Sequence, residues 1–528
     1  MKKNLLLGVL ALSLGSCEFN DFLSSDADPY SEGERIVPVE HGMIVLGEKL
    51  EDPYTVENMT KALMKLYPTK AGSEMLTETD LYVRFLPDGQ DEYDALEALG
   101  VEMIDHPVDY EIVKEGDYYH DKEIPEGEIT WQYAVVPAGF SFPSGIEYEV
   151  LDKCFLSEHQ VVTRAGLEDI DWDSVERESF LLTGNGSLIS EGTKASASPS
   201  GRITIMDPEY DPDPIGVAGV RVSCNVFVKF DHCYTDEEGY YRMGKSFSFN
   251  PRYRLVFQNV KGFAIGFNLI LVPASFSTLG KFSPEGVSVT IDTDSDRMLY
   301  CRSVVNNACY DYYESCSQNG VSITAPPSNL RLWLFYSLDA SSAVMMHQGA
   351  VIDGSLLDAF LGEFTSLLKM FLPDVTVGLK GQDTYQSIYG LAQHECAHAS
   401  HYVQVGNAYW NPYIKFILTS FVTSGWTVYG TGTEENHGYC ELGESWAYYV
   451  QTRLYRDRYP ESAASFGTSY WFKPQILYYL DEHGIDRFSI FKALTSDVHD
   501  IDLFKKKLLS LYPESKNTIM QAFSRYNQ

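Results

Sequence analysis

The stretch "LAQHECAHASHYVQV", residues 391–405, places His394, Glu395, His398 and His401 within eight positions of a chain that has 12 histidines among 528 residues. On an α-helix, residues four apart lie one above the other on the same face. His394 and His398 can then offer two imidazoles to one cation, at a spacing that suits Zn2+. Glu395 sits beside the first histidine, where it reaches an activated water without being a ligand itself. Ser387, Ile388, Leu391 and Ala392 lead in, broken only by Gly390, and Ala397 and Ala399 keep the turn slim, so a helix is expected. The competing reading is an ordinary helix with satisfied surface histidines, in which His401 belongs to a solvated stripe. With a metal bound, His401 is expected to stay outside the ligand set.

A zinc site needs a third protein ligand and an open position. The segment "NHGYCELGESWAYYVQTRLY" (436–455) supplies His437, Glu441 and Glu444 on a second helical pattern with Leu442, Trp446, Tyr449 and Val450 on its apolar side. Glu441 and Glu444 are three apart, so both can face the first helix.

The H-E-x-x-H of His394 to His398, followed by a helix reading "GESWAYY", resembles the gluzincin branch of the zinc metallopeptidases over roughly residues 330–528. The resemblance implies His394, His398 and Glu444 as zinc ligands. Glu441 is implied as a partner that orients a ligating imidazole. Glu395 is implied as the general base that takes a proton from water and delivers it to the leaving amine. For the group that steadies the oxyanion, His437 and Tyr439 are favoured, with Tyr429 and Tyr448 as alternatives. The metzincin pattern is absent, because His401 follows His398 too closely. Val375 to Leu379 reads as a strand, either an edge that pairs with an extended substrate or an interior one. Cys396, two past His394, points away from the ligand face; a buried thiol and a disulfide to Cys440 are both open.

The N-terminus, "MKKNLLLGVLALSLGSC", has a basic start, a short apolar core and a small-residue site ending at Cys17. It resembles a bacterial lipobox, which implies a lipidated Cys17 and a protein tethered to the outer membrane, periplasmic or at the cell surface. No later stretch is long and apolar enough to span a bilayer. Eight cysteines follow Cys17, none spaced C-x-x-C, so thiolate zinc and thioredoxin-like sites are not expected. A net charge of −34 argues against a nucleic-acid partner.

The organisation expected is multidomain α+β. Residues 1–17 form the signal segment and 18–38 a flexible tether. A small α+β domain occupies 39–180, with a strand at Leu81–Phe85, a helix at Asp91–Leu99 and a strand at Val101–Ile104. The Gly/Ser-rich run 181–201 is a linker. Residues 202–327 form an antiparallel β-sandwich. There, "GVRV" and the turn Thr235-Asp236-Glu237-Glu238-Gly239-Tyr240-Tyr241 resemble the carboxypeptidase-regulatory-like fold, which implies a spacer or docking module. Residues 328–528 form a mainly helical zincin-like domain, with a helix pattern at 355–372. The function expected is hydrolysis of protein or peptide substrates with Zn2+. The alternatives are a surface-binding lipoprotein with a non-catalytic zincin-like domain, and an amidase acting on cell-wall peptides.

Overall fold

The computed structural model describes residues 42–526, except for 69–75, 126–127, 161–168, 190–195, 267–275, 319, 337–340, 351–372 and 424–428. The signal segment with Cys17, the tether 18–38 and the helix pattern at 355–372 lie outside the described residues. The chain is mixed α+β, and most of its strand pairs are antiparallel.

The first part runs β1 (Val45–Lys49), α1 (Val56–Leu66), β2 (Asp80–Leu86), α2 (Gln90–Ala98), β3 (Tyr110–Lys114), β4 (Gln132–Pro137), β5 (Glu147–Cys154) and α3 (Trp172–Leu182). Strand β2 lies between β4 and β5, and β1 pairs with β3. Period-2 alternation sends Val83 and Phe85 of β2 inward, where they meet Leu96 of α2 together with Val101, Ala134 and Val136. The strand expected at Val101–Ile104 does not form. After a turn through Gly100 (φ +76°), Val101 is spent on this small core, and Ile104 alone makes a bridge, to Tyr133.

The middle of the chain gives β6 (Ser200–Asp207), β7 (Asp211–Gly216), β8 (Val220–Val226), β9 (Lys229–Tyr234), β10 (Tyr240–Arg242), β11 (Arg252–Asn259), β12 (Ala264–Gly266), β13 (Phe276–Lys281) and β14 (Val289–Ile291). The turn before β10 depends on Gly239, at φ +85°, where a Cβ would stand 2.0 Å from the Ile203 carbonyl oxygen. Asp236 closes it by accepting from the Tyr240 amide at 2.7 Å. Then follow α4 (Arg297–Ser315), the short pair β15 (Ser317–Gln318) and β16 (Val321–Ser322), β17 (Arg331–Phe335), β18 (Ser342–Ala343) and β19 (Val375–Gly378).

Two expectations fail in this region. The middle segment is not a self-contained β-sandwich, because the long helix α4 interrupts it. Its large sheet also continues past residue 327, in the order β18-β19-β17-β12-β11-β8-β9, with β13 also on β11. The parallel pair β12–β17, with Ile265 opposite Leu332, carries the sheet across the expected boundary. Leu332 and Leu334 are buried, which a strand at a free domain edge would not allow. Nor is β19 an edge: β17 flanks it on one side and β18 on the other, with Thr376 opposite Ser342.

The rest is helical: α5 (Tyr385–Val405), α6 (Asn407–Thr423), α7 (His437–Arg458), α8 (Pro474–Glu482), α9 (Arg487–Ala493), α10 (Ile501–Leu511) and α11 (Lys516–Tyr526). Thr384 caps α5 by accepting from the Ser387 amide, and Gly406 ends it at φ +66°. No helix among the described residues is long and apolar enough to cross a membrane.

Arg458 at the end of α7 clamps three elements. It pairs with buried Asp207 of β6 at 2.8 Å and Asp311 of α4 at 3.3 Å. Its guanidinium carbon lies 4.0 Å from the Tyr210 ring centroid and 4.8 Å from that of Tyr389. Arg458→Met leaves buried Asp207 without its cation and with only the Tyr459 hydroxyl as donor, so it is expected to lower unfolding stability by about 3 kcal/mol. The companion Asp207→Asn should recover part of that loss, measured by urea denaturation of the two single variants and the pair.

Candidate metal centre

Helices α5 and α7 meet closely because their contact residues are small or interlocked. Gly390 faces Gln451 and Tyr455, and a Cβ there would stand 3.3 Å from Gln451 Nε2. Trp446 donates its indole N–H to the Ala397 carbonyl at 3.1 Å. On the other side, Gln393 donates to the Ala308 carbonyl of α4 at 2.8 Å. The helix bearing the histidines is thereby held on both flanks.

This crossing brings His394, His398 and Glu444 together, with one ligand atom of each within 4.8 Å of the others. The two imidazole Nε2 atoms are 3.1 Å apart. His394 Nε2 is 3.3 Å from one Glu444 oxygen and His398 Nε2 is 3.4 Å from the other. Tetrahedral zinc with bonds of about 2.0–2.1 Å spaces its ligands ~3.3 Å apart, so the donor set fits that ion. Glu444 Oε2 has no hydrogen-bond partner, although its residue is buried. The three residues and Glu395 are 1–4 % exposed.

Electrostatics follow from one carboxylate serving two rings. Burial pushes the His394 imidazole down, but Glu444, Glu395 and Gln451 outweigh it and the pKa rises above the ordinary value. At His398 burial, aided by His394, prevails over Glu444 and the pKa falls. Burial opposes ionisation of Glu444, yet the two histidines hold its pKa well below the usual carboxylate range. Glu395, which is not in the donor set, is pushed up to about 8, chiefly by burial, and its Oε2 has no partner.

The groups around the donors are tyrosines and one amide. Tyr413 of α6 donates to Glu444 Oε1 at 2.7 Å. The Tyr448 ring packs against that of His394, with centroids 4.4 Å apart, and its hydroxyl is 3.5 Å from that of Tyr429. Gln451 faces the His394 ring and helps raise its pKa, although His394 Nδ1 has no hydrogen-bond partner of good geometry. Glu444, Tyr448 and Gln451 fall at i, i+4 and i+7, one stripe of α7. That spacing was a readable signal for Tyr448 and Gln451.

The remaining sequence candidates lie elsewhere. His437 stands two turns, about 10 Å along the axis, before Glu444; its Nδ1 is 2.8 Å from the Glu434 carbonyl and its ring faces Trp471. Tyr439 stacks on His499 and packs against Tyr409. Glu441 lies one turn before Glu444, and the positive charges it feels are those of His437 and Lys473 rather than a ligand histidine. His401 is not part of a solvated stripe. It is fully buried against Tyr409, neither ring nitrogen has a partner, and burial, with His398, drives its pKa down to about 3. Cys396 points to α4, its Sγ 3.5 Å from that of Cys309, and both Cys396 and Cys440 are free thiols.

The purified chain is expected to take up one equivalent of zinc and to melt higher for it. Alanine at His394, His398 or Glu444 should reduce that stoichiometry sharply, whereas His401→Phe should retain it, as read by elemental analysis and thermal denaturation. Comparison with known protein families, curated proteins and solved structures returns no match, so the centre is read from its own geometry.

Proposed function

We propose that the protein is a zinc-dependent peptidase acting on extracytoplasmic proteins, with the gluzincin-like ligand set His394, His398 and Glu444. The observation that carries this reading is the placement of Glu395, a buried carboxylate with a free oxygen, directly beside a cation-sized donor set to which it does not belong. Zinc held there would act as a Lewis acid on a carbonyl and on water. Glu395 would accept a proton from that water and pass it to the leaving amine, the charge of a bound zinc opposing the burial that pushes its pKa up to about 8. Tyr413 fixes the Glu444 carboxylate. The Tyr448 ring packs against that of His394 and its hydroxyl meets that of Tyr429, whereas the Tyr413 hydroxyl is spent on Glu444, and we assign oxyanion stabilisation to Tyr448 in preference to His437 and Tyr439. The lipobox-like N-terminus supports a lipid anchor at Cys17 and a place on the outer membrane.

The burial of the donors favours one second reading. Structural zinc sites are closed, and catalytic ones keep an open position. A non-catalytic zincin-like domain in a surface-binding lipoprotein is consistent with ligands only 1–4 % exposed.

The two readings part on Glu395→Gln. Under the peptidase reading this variant retains one equivalent of zinc while hydrolysis of a peptide library falls roughly 10²–10⁴-fold. A zinc-loaded wild-type chain that cleaves no peptide in the library decides for the second. Tyr448→Phe is expected to lower kcat roughly 10²-fold or more with zinc retained, and unchanged turnover would move the oxyanion role to Tyr429.

A further inference from the structure

Far from the metal centre in the sequence, α2 and the segment after it roof a cavity of about 80 Å³ over the large sheet. Its floor is one face of β8 and β11. Alternation places Arg254, Val256 and Gln258 on the same side, and the register sets Ser223 beside Arg254 and Arg221 beside Val256. Glu97 of α2, Glu102 and Asp105 line the roof.

Most of these charges have partners. Arg221 pairs with Glu102 at 2.5 Å and donates to Gln258 at 2.9 Å. Glu102 also accepts from Ser223 at 3.1 Å and faces His232 Nδ1 at 2.8 Å. Asp105 accepts from the Tyr119 amide at 2.6 Å and pairs with His106 at 2.7 Å. Arg254 is different. It is 5 % exposed, donates to Asn225 Oδ1 at 2.7 Å, and has no carboxylate within ion-pair distance among the described residues. Burial, with Arg252 nearby, pushes its pKa down to about 10 against the pull of Glu115, Asp105 and Glu102, which leaves it charged at neutral pH. Glu97 lines the same cavity, and no described residue forms an ion pair or hydrogen bond with its carboxylate.

A buried guanidinium whose neighbouring carboxylates all stand beyond ion-pair distance is costly, and its planar fork matches a carboxylate. A dianion such as phosphate would meet Glu97, Glu102 and Asp105 in the same space and be repelled. A ligand carrying its own amine would satisfy both unpaired groups. The volume corresponds to about five to eight water-sized positions at roughly 10–15 Å³ each, close to the bulk of glycine, alanine or serine. We propose that this cavity binds a small zwitterion, a free α-amino acid, with its carboxylate on Arg254 and its ammonium on Glu97. The proposal is independent of the peptidase reading.

The test is calorimetric titration of the full chain with glycine, L-alanine and L-serine, alongside acetate, ethylamine and inorganic phosphate. At least one amino acid should bind at a single saturable site, acetate about tenfold or more weaker, and ethylamine and phosphate not at all. Arg254→Gln and Glu97→Gln should each weaken amino-acid binding by about tenfold or more, and His394→Ala should leave it unchanged. Glu97 lies on a partly exposed helix face, so Glu97→Gln keeps the test decisive should Arg254→Gln fail to fold. The proposal is overturned if no amino acid binds, if Glu97→Gln has no effect, if phosphate binds more tightly, or if His394→Ala abolishes binding and so places the ligand on the metal centre.

Discussion

Two imidazole nitrogens and a carboxylate lie about 3 Å apart in the dry interior between α5 and α7. Without a cation this arrangement is frustrated. One negative charge faces two rings, and only one ring can be charged without repelling the other. The opposite pKa directions at His394 and His398 express that conflict. A divalent ion removes it, because both rings then serve as neutral donors and the carboxylate keeps its charge beside a full countercharge. The crossing of α5 over α7 is built to hold this geometry, with glycine where the backbones approach and an indole hydrogen bond locking the register.

That crossing in turn rests on the sheet. Helix α4 lies behind α5, and its Asn306 and Asn307 donate to the Ala218 and Gly216 carbonyls at 2.9 and 2.8 Å. The far end of α7 is fastened through Arg458 to β6 and α4. One hydrophobic core accordingly runs from Tyr54 and Tyr82 of the first part to the last helix, and the middle strands are the wall against which the site helices are positioned. The region read as a spacer is mechanically part of the centre.

The parts of the site that lie within one turn of one helix were legible in the sequence, because i, i+4 geometry is local. His394 and His398 needed no tertiary information, whereas Glu444 is chosen over Glu441 and His437 by the family resemblance. What the sequence obscured depends on the crossing itself. His437 and Tyr439 look close to Glu444 in sequence, but helical rise carries His437 two turns away and the helix's rotation turns Tyr439 toward His499. The competing reading puts His401 on a solvated stripe, yet its position seven after His394 returns it to the buried face between Tyr409 and Trp410. The domain boundary expected at 327 separates a strand-rich segment from a mainly helical one, whereas strand pairing between Ile265 and Leu332 is non-local and leaves no mark in either segment alone.

Burial of the donors bears on chemistry through Glu395. A purely structural zinc centre requires ligands and nothing else, and every further charge buried beside it costs desolvation energy. Glu395 is buried, is outside the donor set, has one oxygen without a partner and is adjacent to a ligand on the same helix. Glutamine or leucine at that position would cost the fold less. Its neighbours sharpen the point: the hydroxyls of Tyr429 and Tyr448 come within 3.5 Å of each other and both lie in the field of Glu395. A buried carboxyl beside a cation-sized donor set has no packing purpose, and the proton transfer proposed above would give it one.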